Sequence, residues 1–394
     1  MAESALTAEF HFTDEQRHLR SAVRKFCTEN FDEPTVRRLM ESDVRFDPTV
    51  WSRLGSELGV LGLAVSSDDG GAGGSLVDQA VAVEEFGAHL ACGPLFGTVY
   101  LSIPALAACP AGSVRDSLLA SLLEGERTSA FAVPERAGAF DVEGVGVTAR
   151  SGSNCTITGT MQRIVDADAA DTLLVAARGP DGVCLYAVET SAGGVERTPL
   201  VTMDLTRPQA TVHFRDADAH LIAGPDAAPD VIAGALRVGS ALLAVEQVGA
   251  ARHLLGLAVE YAKTRMQFGR QIGSFQAVKH RLADMLVDVE HSRSTAYHAV
   301  WALADDSAGS ALAVSIAQAT CSAALSRIAA DTIQVHGGIG FTWEHQAHLY
   351  FKRAATDAVL LGSAEQHRAR VAEFVLDTAP VGRQQVPVAD GSPF

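Results

Sequence analysis

Apolar residues fall into three textures along the chain. Over the first third they recur at helical spacing. Leu19, Val23, Phe26 and Cys27 form one stripe, and Trp51, Leu54, Leu58 and Leu61 a second. Val77, Ala80, Val81, Val83, Phe86 and Gly87 form a third. Thr13 ahead of Asp14, Glu15 and Gln16 marks a helix start: a hydroxyl caps free N–H groups, and acidic residues sit on the positive end of the helix dipole. Gly70, Gly71, Gly73 and Gly74 interrupt the pattern. A glycine cluster can cradle phosphate, but this one lacks the strand–Gly-x-Gly-x-x-Gly–helix context and reads as a connector.

From Thr128 to about Arg215 the runs shorten to TSAFAV, CTITGT, DTLLVAAR, VCLYAVE and ATVHFRD, bounded by Gly, Pro, Asn and Asp. That is the pattern of short strands. After a connector, AGPDAAPD, helical spacing returns from about Val231 to Thr378, with Leu236, Leu242, Val245, Val248, Leu254, Leu255, Ala258 and Val259 on one face. The expected fold is α+β: an N-terminal α-helical domain (1–127), a middle β-barrel or sandwich-like domain (128–228) and a C-terminal four-helix bundle (229–380). A Pro/Gly-rich flexible tail (381–394) follows.

Composition narrows the function. With 394 residues, 47% of them hydrophobic, the chain can bury more than one core. A formal net charge of −16 gives no basic footprint for nucleic acid and opposes docking on an anionic membrane surface. No uncharged apolar segment approaches the ~20 residues that span a bilayer. The start, MAESALTAEFHFTDEQ, lacks the basic and apolar regions of a signal peptide. Six scattered cysteines form no CxxC pair and no metal cluster, as in a cytoplasmic protein with reduced thiols.

Two stretches carry more specific chemistry: Arg265–Gln276 (RMQFGRQIGSFQ) and Gln334–Glu344 (QVHGGIGFTWE). Arg265 precedes Phe268 by three residues, so both are expected on about one helical face or its end. A planar guanidinium suits a pyrophosphate and an aromatic ring suits a nucleobase. Gln334, Gly337 and Gly338 make a tight polar turn where backbone can approach phosphate. The plain alternative is a salt bridge at Arg265 and glycines that merely end a helix. His280, His336 and His367 read as hydrogen-bonded structural histidines.

Together with LGSELGVLGLAVSSDDGGAGG and VEEFGAHL, these stretches make the chain resemble the FAD-dependent acyl-CoA dehydrogenase family over nearly its whole length. The resemblance implies an oxidoreductase of lipid metabolism that desaturates an acyl-CoA thioester between its α and β carbons. A carboxylate removes the α-proton while hydride leaves the β-carbon for the flavin. It also implies FAD, re-oxidation by an electron-transferring flavoprotein, and a dimer or tetramer. In such an assembly Arg265, Phe268, Gln276, Gln334, Gly337 and Gly338 reach the adenosine diphosphate part of the neighbouring subunit's FAD.

Against that family pattern several groups are missing. The usual glutamate base falls on Leu361, followed by Gly362 and Ser363; the alternative base early in the first bundle helix falls on Gly239. Glu365 and Glu246 are the nearest carboxylates that could replace it. The family's hydroxyl-bearing loop is here AVPERAGAFD, with Val133 and Ala139 at the hydroxyl positions, and its Trp-Ile-Thr is Arg163, Ile164 and Val165. The expectation is a subunit that grips a partner's nucleotide but lacks the base, as in actinobacterial α₂β₂ acyl-CoA dehydrogenases, some of which degrade steroid side chains. The small Gly239 and Ser240 leave room for a bulky acyl group. The alternatives are a self-sufficient homotetramer with a relocated carboxylate, and a non-catalytic binding or regulatory protein.

Overall fold

The computed structural model describes residues 12–150 and 155–377. The tail expected over 381–394 lies outside the described residues. Helix α1 (Asp14–Asn30) opens with a reciprocal cap: Gln16 N–H donates to Thr13 Oγ1 at 3.2 Å, and Thr13 N–H to Gln16 Oε1 at 3.1 Å. It buries Val23, Phe26 and Cys27. Helix α2 (Glu33–Met40), which the periodicity passed over, is set by an Asp32 cap, a proline in its first turn and Arg37 and Arg38 in its last. Helix α3 (Pro48–Ser56) is shorter than its stripe. The chain turns at Gly59 with φ 62°, so Leu58 and Leu61 pack from outside the helix.

The glycine-rich segment after α3 is a turn folded back on Val65, where a Cβ at Gly71 would strike the Val65 carbonyl. Arg115 ties it down through Asp69 at 2.5 Å. Helix α4 (Leu76–Ala88) follows a Ser75–Asp78 capping box and crosses the long α7 (Ala228–Thr264) at backbone contact. A Cβ on Gly87 would meet the carbonyl of Glu246, and one on Gly249 that of Glu84. Between α4 and the sheet lie a π-helical segment (Leu95–Ser102), α5 (Ile103–Ala108) and α6 (Ser113–Leu123).

The middle unit has strands β1 (Ser129–Ala132), β4 (Thr148–Arg150), β5 (Thr156–Val165), β6 (Thr172–Gly179), β7 (Gly182–Glu189), β8 (Val195–Pro199), β9 (Gln209–Asp218) and β10 (His220–Ala223). They form one eight-stranded sheet in the order β10-β7-β6-β4-β5-β9-β8, with β1 parallel to β6. A separate hairpin, β2 (Glu135–Arg136) with β3 (Ala139–Phe140), stands beside it. Strands β6 and β7 are buried on both faces. Leu173, Val175, Tyr186 and Val188 enter the sheet's own core with Ile157, Val212 and Phe214. The alternate residues Leu174, Ala176, Leu185 and Ala187 join the helical core. Period-two alternation therefore serves two cores at once.

Helix α7 starts inside the AGPDAAPD connector, with Pro229 in its first turn. It packs with α8 (Gln276–Ala304) and α9 (Ser310–His336), and α11 (Ala364–Ala372) closes against α9. Helix α10 (Ala347–Asp357) lies across α9 and α7. Helix α7 and the stretch Ser310–Phe341 are long and apolar enough to cross a membrane, yet most of their apolar windows are buried inside the bundle.

Candidate functional site

A cavity of about 470 Å³ lies where the sheet, the π-helical segment and the turn before α11 meet. Phe96, Leu101, Phe131, Leu236 and Leu361 form its apolar wall. The positions singled out in sequence meet here: Val133, Arg163, Ile164, Val165 and Leu361 all line it. Leu361 is buried, with left-handed backbone at φ 54°, followed by Gly362 at φ 97°. His367 Nε2–H donates to the Leu361 carbonyl at 2.8 Å. The tip of the β2–β3 hairpin rests on this turn: a Cβ on Gly362 would lie 2.7 Å from the Ala137 carbonyl carbon. Arg370 of α11 pins the same tip by donating to Ala137 O at 2.9 Å.

Pairing of β5 with β9 slips between Met161 and Ile164, a bulge that holds Gln162 and Arg163. Arg163 has φ 58° there. Bulges of this kind redirect side chains beside functional sites, and both residues border the cavity.

Glu135 is a cavity carboxylate that sequence reading missed. Its loop was read for hydroxyls, and nothing local marks a glutamate there as inward-facing. Gly138 N–H donates to its Oε2 at 2.7 Å. Burial pushes its pKa above the ordinary value, against the pull of that N–H and of Arg163.

Gly239 does not open free space. Leu101 occupies the place its side chain would take, with Leu101 Cγ and Tyr100 O each 3.3 Å from an ideal Cβ. Ser240 is buried and its hydroxyl donates to Leu236 O at 2.8 Å. The roominess read from these two small residues is thus taken up by the π-helical segment.

Neither substitute carboxylate borders the cavity. Glu246 is the centre of a buried ion cluster. Arg207 Nη2 donates to both its oxygens at 2.6 and 2.7 Å, and Arg353 Nη1 donates to Oε1 at 2.5 Å. Arg207 also holds Asp357 at 3.0 Å and Arg353 holds Asp204 at 3.0 Å, joining α7 and α10 to the β8–β9 loop. Burial raises the pKa of Glu246, but the two guanidinium groups outweigh it and hold the group down at about 2. A carboxylate so held is a poor proton acceptor. Glu365 lies exposed in the first turn of α11 beside Arg368.

The two motifs face outward. Helix α7 stops at Thr264, and Met266–Gln267 pairs with Arg270–Gln271 as a hairpin. Phe268 and Gly269 form its tip at φ 51° and 73°. The helical face expected for Arg265 and Phe268 is therefore a β-turn, because both tip residues adopt the left-handed conformations such turns require. Phe268 is 90% exposed. Arg265, Gln276, Gln334, Gly337 and Gly338 are exposed as well. Gly337 ends α9 at φ 66°, and a Cβ on Gly337 or Gly338 would meet nothing within 4 Å. Met266, Leu286, Val287, Phe341 and Trp343 add exposed apolar surface on these and adjoining segments.

Of the three histidines, His336 is buried and paired with the Thr332 carbonyl at 2.8 Å, stacked on Tyr261. His367 is the donor to Leu361 described above. His280 is exposed on α8 instead of being held in the interior.

The family model for the acyl-CoA dehydrogenase N-terminal domain matches residues 13–126, and that for the C-terminal domain matches 230–376. The chain belongs to the acyl-CoA dehydrogenase family. It is 32% identical over 359 residues to acyl-CoA dehydrogenase IpdE2 of Mycolicibacterium smegmatis, covering 91% of this chain and 98% of that protein. A chain of the ChsE4–ChsE5 complex from Mycobacterium tuberculosis is similar at TM-score 0.84 and 28% identity, over 94% of this chain and 100% of that one. A variant of the Tcur3481–Tcur3483 steroid ACAD gives TM-score 0.82 and 29% identity, over 92% and 98%.

Acyl-CoA dehydrogenases are oxidoreductases acting on the CH–CH bond of acyl-CoA, with FAD as cofactor. In this family member the residues fit that cofactor unequally. The outward motif offers a guanidinium, an aromatic ring and two glycines with open space above them, a set suited to a nucleotide diphosphate. Val133 lines the cavity without a hydroxyl for a flavin ring edge, and Ala139 lies exposed outside its lining.

Proposed function

We propose that this chain is the base-lacking subunit of a heteromeric α₂β₂ acyl-CoA dehydrogenase. The observation that carries the reading is the pairing of a leucine in the cavity's base position with a fully presented nucleotide-gripping motif. On this reading Arg265 and Phe268 hold the pyrophosphate and adenine of FAD seated mainly in a partner subunit. Gln276, Gln334, Gly337 and Gly338 complete the grip. When bound, the flavin accepts hydride from the β-carbon of the acyl thioester. The carboxylate that takes the α-proton belongs to the partner.

Two similar structures are named for two components, ChsE4–ChsE5 and Tcur3481–Tcur3483, and the second is a steroid ACAD. They support a partner of the same family and a bulky, steroid-type acyl-CoA. A cytoplasmic location and re-oxidation by an electron-transferring flavoprotein belong to the same reading.

Glu135 favours a second reading, a self-sufficient homotetramer, because it places a desolvated carboxylate in the cavity with Leu361. FAD stoichiometry separates the two. The chain expressed alone is expected to be colourless, and co-expression with a second family member is expected to give one FAD for every two chains. A yellow protein with one FAD per chain from the single gene would establish the homotetramer instead.

A further inference from the structure

If the flavin ring and the base lie in the partner, as proposed above, the cavity around Leu361 has no assigned occupant. Its volume of about 470 Å³ falls in the ~300–1,000 Å³ range of small-molecule sites. Its lining mixes the apolar Phe96, Leu101, Phe131, Leu236 and Leu361 with the polar Glu135, Gln162 and Arg163.

Arg163 is set there by its backbone. It occupies a bulge at φ 58°, a left-handed conformation that a bulky residue adopts only at a cost in strain. Among the described residues its guanidinium has no hydrogen bond and no ion pair within 4.0 Å. The side chain is solvent-exposed, and an exposed guanidinium with no protein acceptor beside a cavity can take a carboxylate through two parallel hydrogen bonds.

Glu135 also lines the cavity. One of its oxygens is taken by Gly138 N–H at 2.7 Å, and burial raises its pKa.

We propose that this cavity binds an apolar molecule ending in a carboxylate, with Arg163 on the carboxylate and the Phe131–Leu236–Leu361 wall on the apolar body.

The test is calorimetric titration of the full-length chain, alone and co-expressed with its partner, with decanoate and with decanol. FAD is counted by absorbance on the same samples. Decanoate is expected to bind about tenfold more tightly than decanol. Arg163→Gln is expected to bring decanoate down to decanol's level with FAD content unchanged. Equal binding of the two probes, an unaltered decanoate affinity in Arg163→Gln, or no binding at all would overturn the inference and leave the heteromer standing. One FAD per chain, lost on Arg163→Gln, would end both readings.

Discussion

The imidazole of His367 holds the main chain of Leu361 from behind, Nε2–H to carbonyl oxygen at 2.8 Å, while the leucine side chain lines the cavity. The turn is thus fixed in a left-handed conformation by a buried donor. Replacing His367 by Leu should cost about 1–3 kcal/mol of stability, because the Leu361 carbonyl loses its partner. Urea denaturation measures it; an unchanged midpoint would show that the turn holds without the histidine.

On the proposed reading, Leu361→Glu places a carboxylate at the family's base position but supplies no hydroxyl at Val133. The variant purified alone is therefore expected to show no acyl-CoA desaturation in a dye-reduction assay. Turnover by that single-chain variant would mean that this cavity seats the whole flavin.

At the hairpin tip, stability and function should separate. Phe268 sits at φ 51° and is 90% exposed. Phe268→Gly relieves the backbone and should raise the stability of the isolated chain by about 1 kcal/mol. The same change, like Arg265→Ala, should make the co-expressed assembly lose FAD on dialysis. FAD retention equal to the parent in both variants would remove the nucleotide-gripping role.

Helix α4 meets α7 with no room for a methyl group at Gly249. Gly249→Ala should destabilise the chain by about 1–3 kcal/mol through overpacking against the Glu84 backbone. Gly256, on the same helix with nothing near its Cβ position, should gain a few tenths to about 1 kcal/mol on Gly256→Ala. Parallel melting curves of the two variants make the comparison.

The buried cluster and Asp166, a buried carboxylate that feels its Arg207 and Arg353, predict a pH dependence. Asp166 is pushed up to about 7 by burial, against a Gly97 N–H donor at 2.8 Å. Its folded pKa lies above the unfolded value. The folded state therefore holds a proton that the unfolded state releases, and this group makes stability fall as pH rises from about 4 to about 7, then level off. Glu246, held at about 2, acts oppositely: its stabilisation is present above the ordinary glutamate range and is lost as pH falls through about 2. Burial raises Asp357 of the cluster to about 7 as well, so Asp166→Asn should lessen the slope between those higher limits without abolishing it, as measured by thermal melting across pH.

Period and capping chemistry are local, and they were readable. The Thr13 cap, the α4 stripe and all five strand-like runs correspond to elements found in the structure. So were the two motifs that identify the family. Chain geometry over a few residues was harder. Helix α3 ends before Leu58 because Gly59 turns the chain, and Arg265–Phe268 is a hairpin because two adjacent residues take positive φ.

What the sequence determined by itself was the kind of protein, since helical and strand periods, caps and long motifs are written in neighbouring residues. Only the tertiary structure decided which carboxylates face the cavity. Glu246 is consumed by Arg207 and Arg353, which lie 39 and 107 residues away along the chain. Glu135 is turned inward by a hairpin resting on Leu361–Gly362, and Leu101 fills the space beside Gly239. Burial and charge pairing depend on groups brought together from distant segments, and no spacing rule within one segment encodes that meeting.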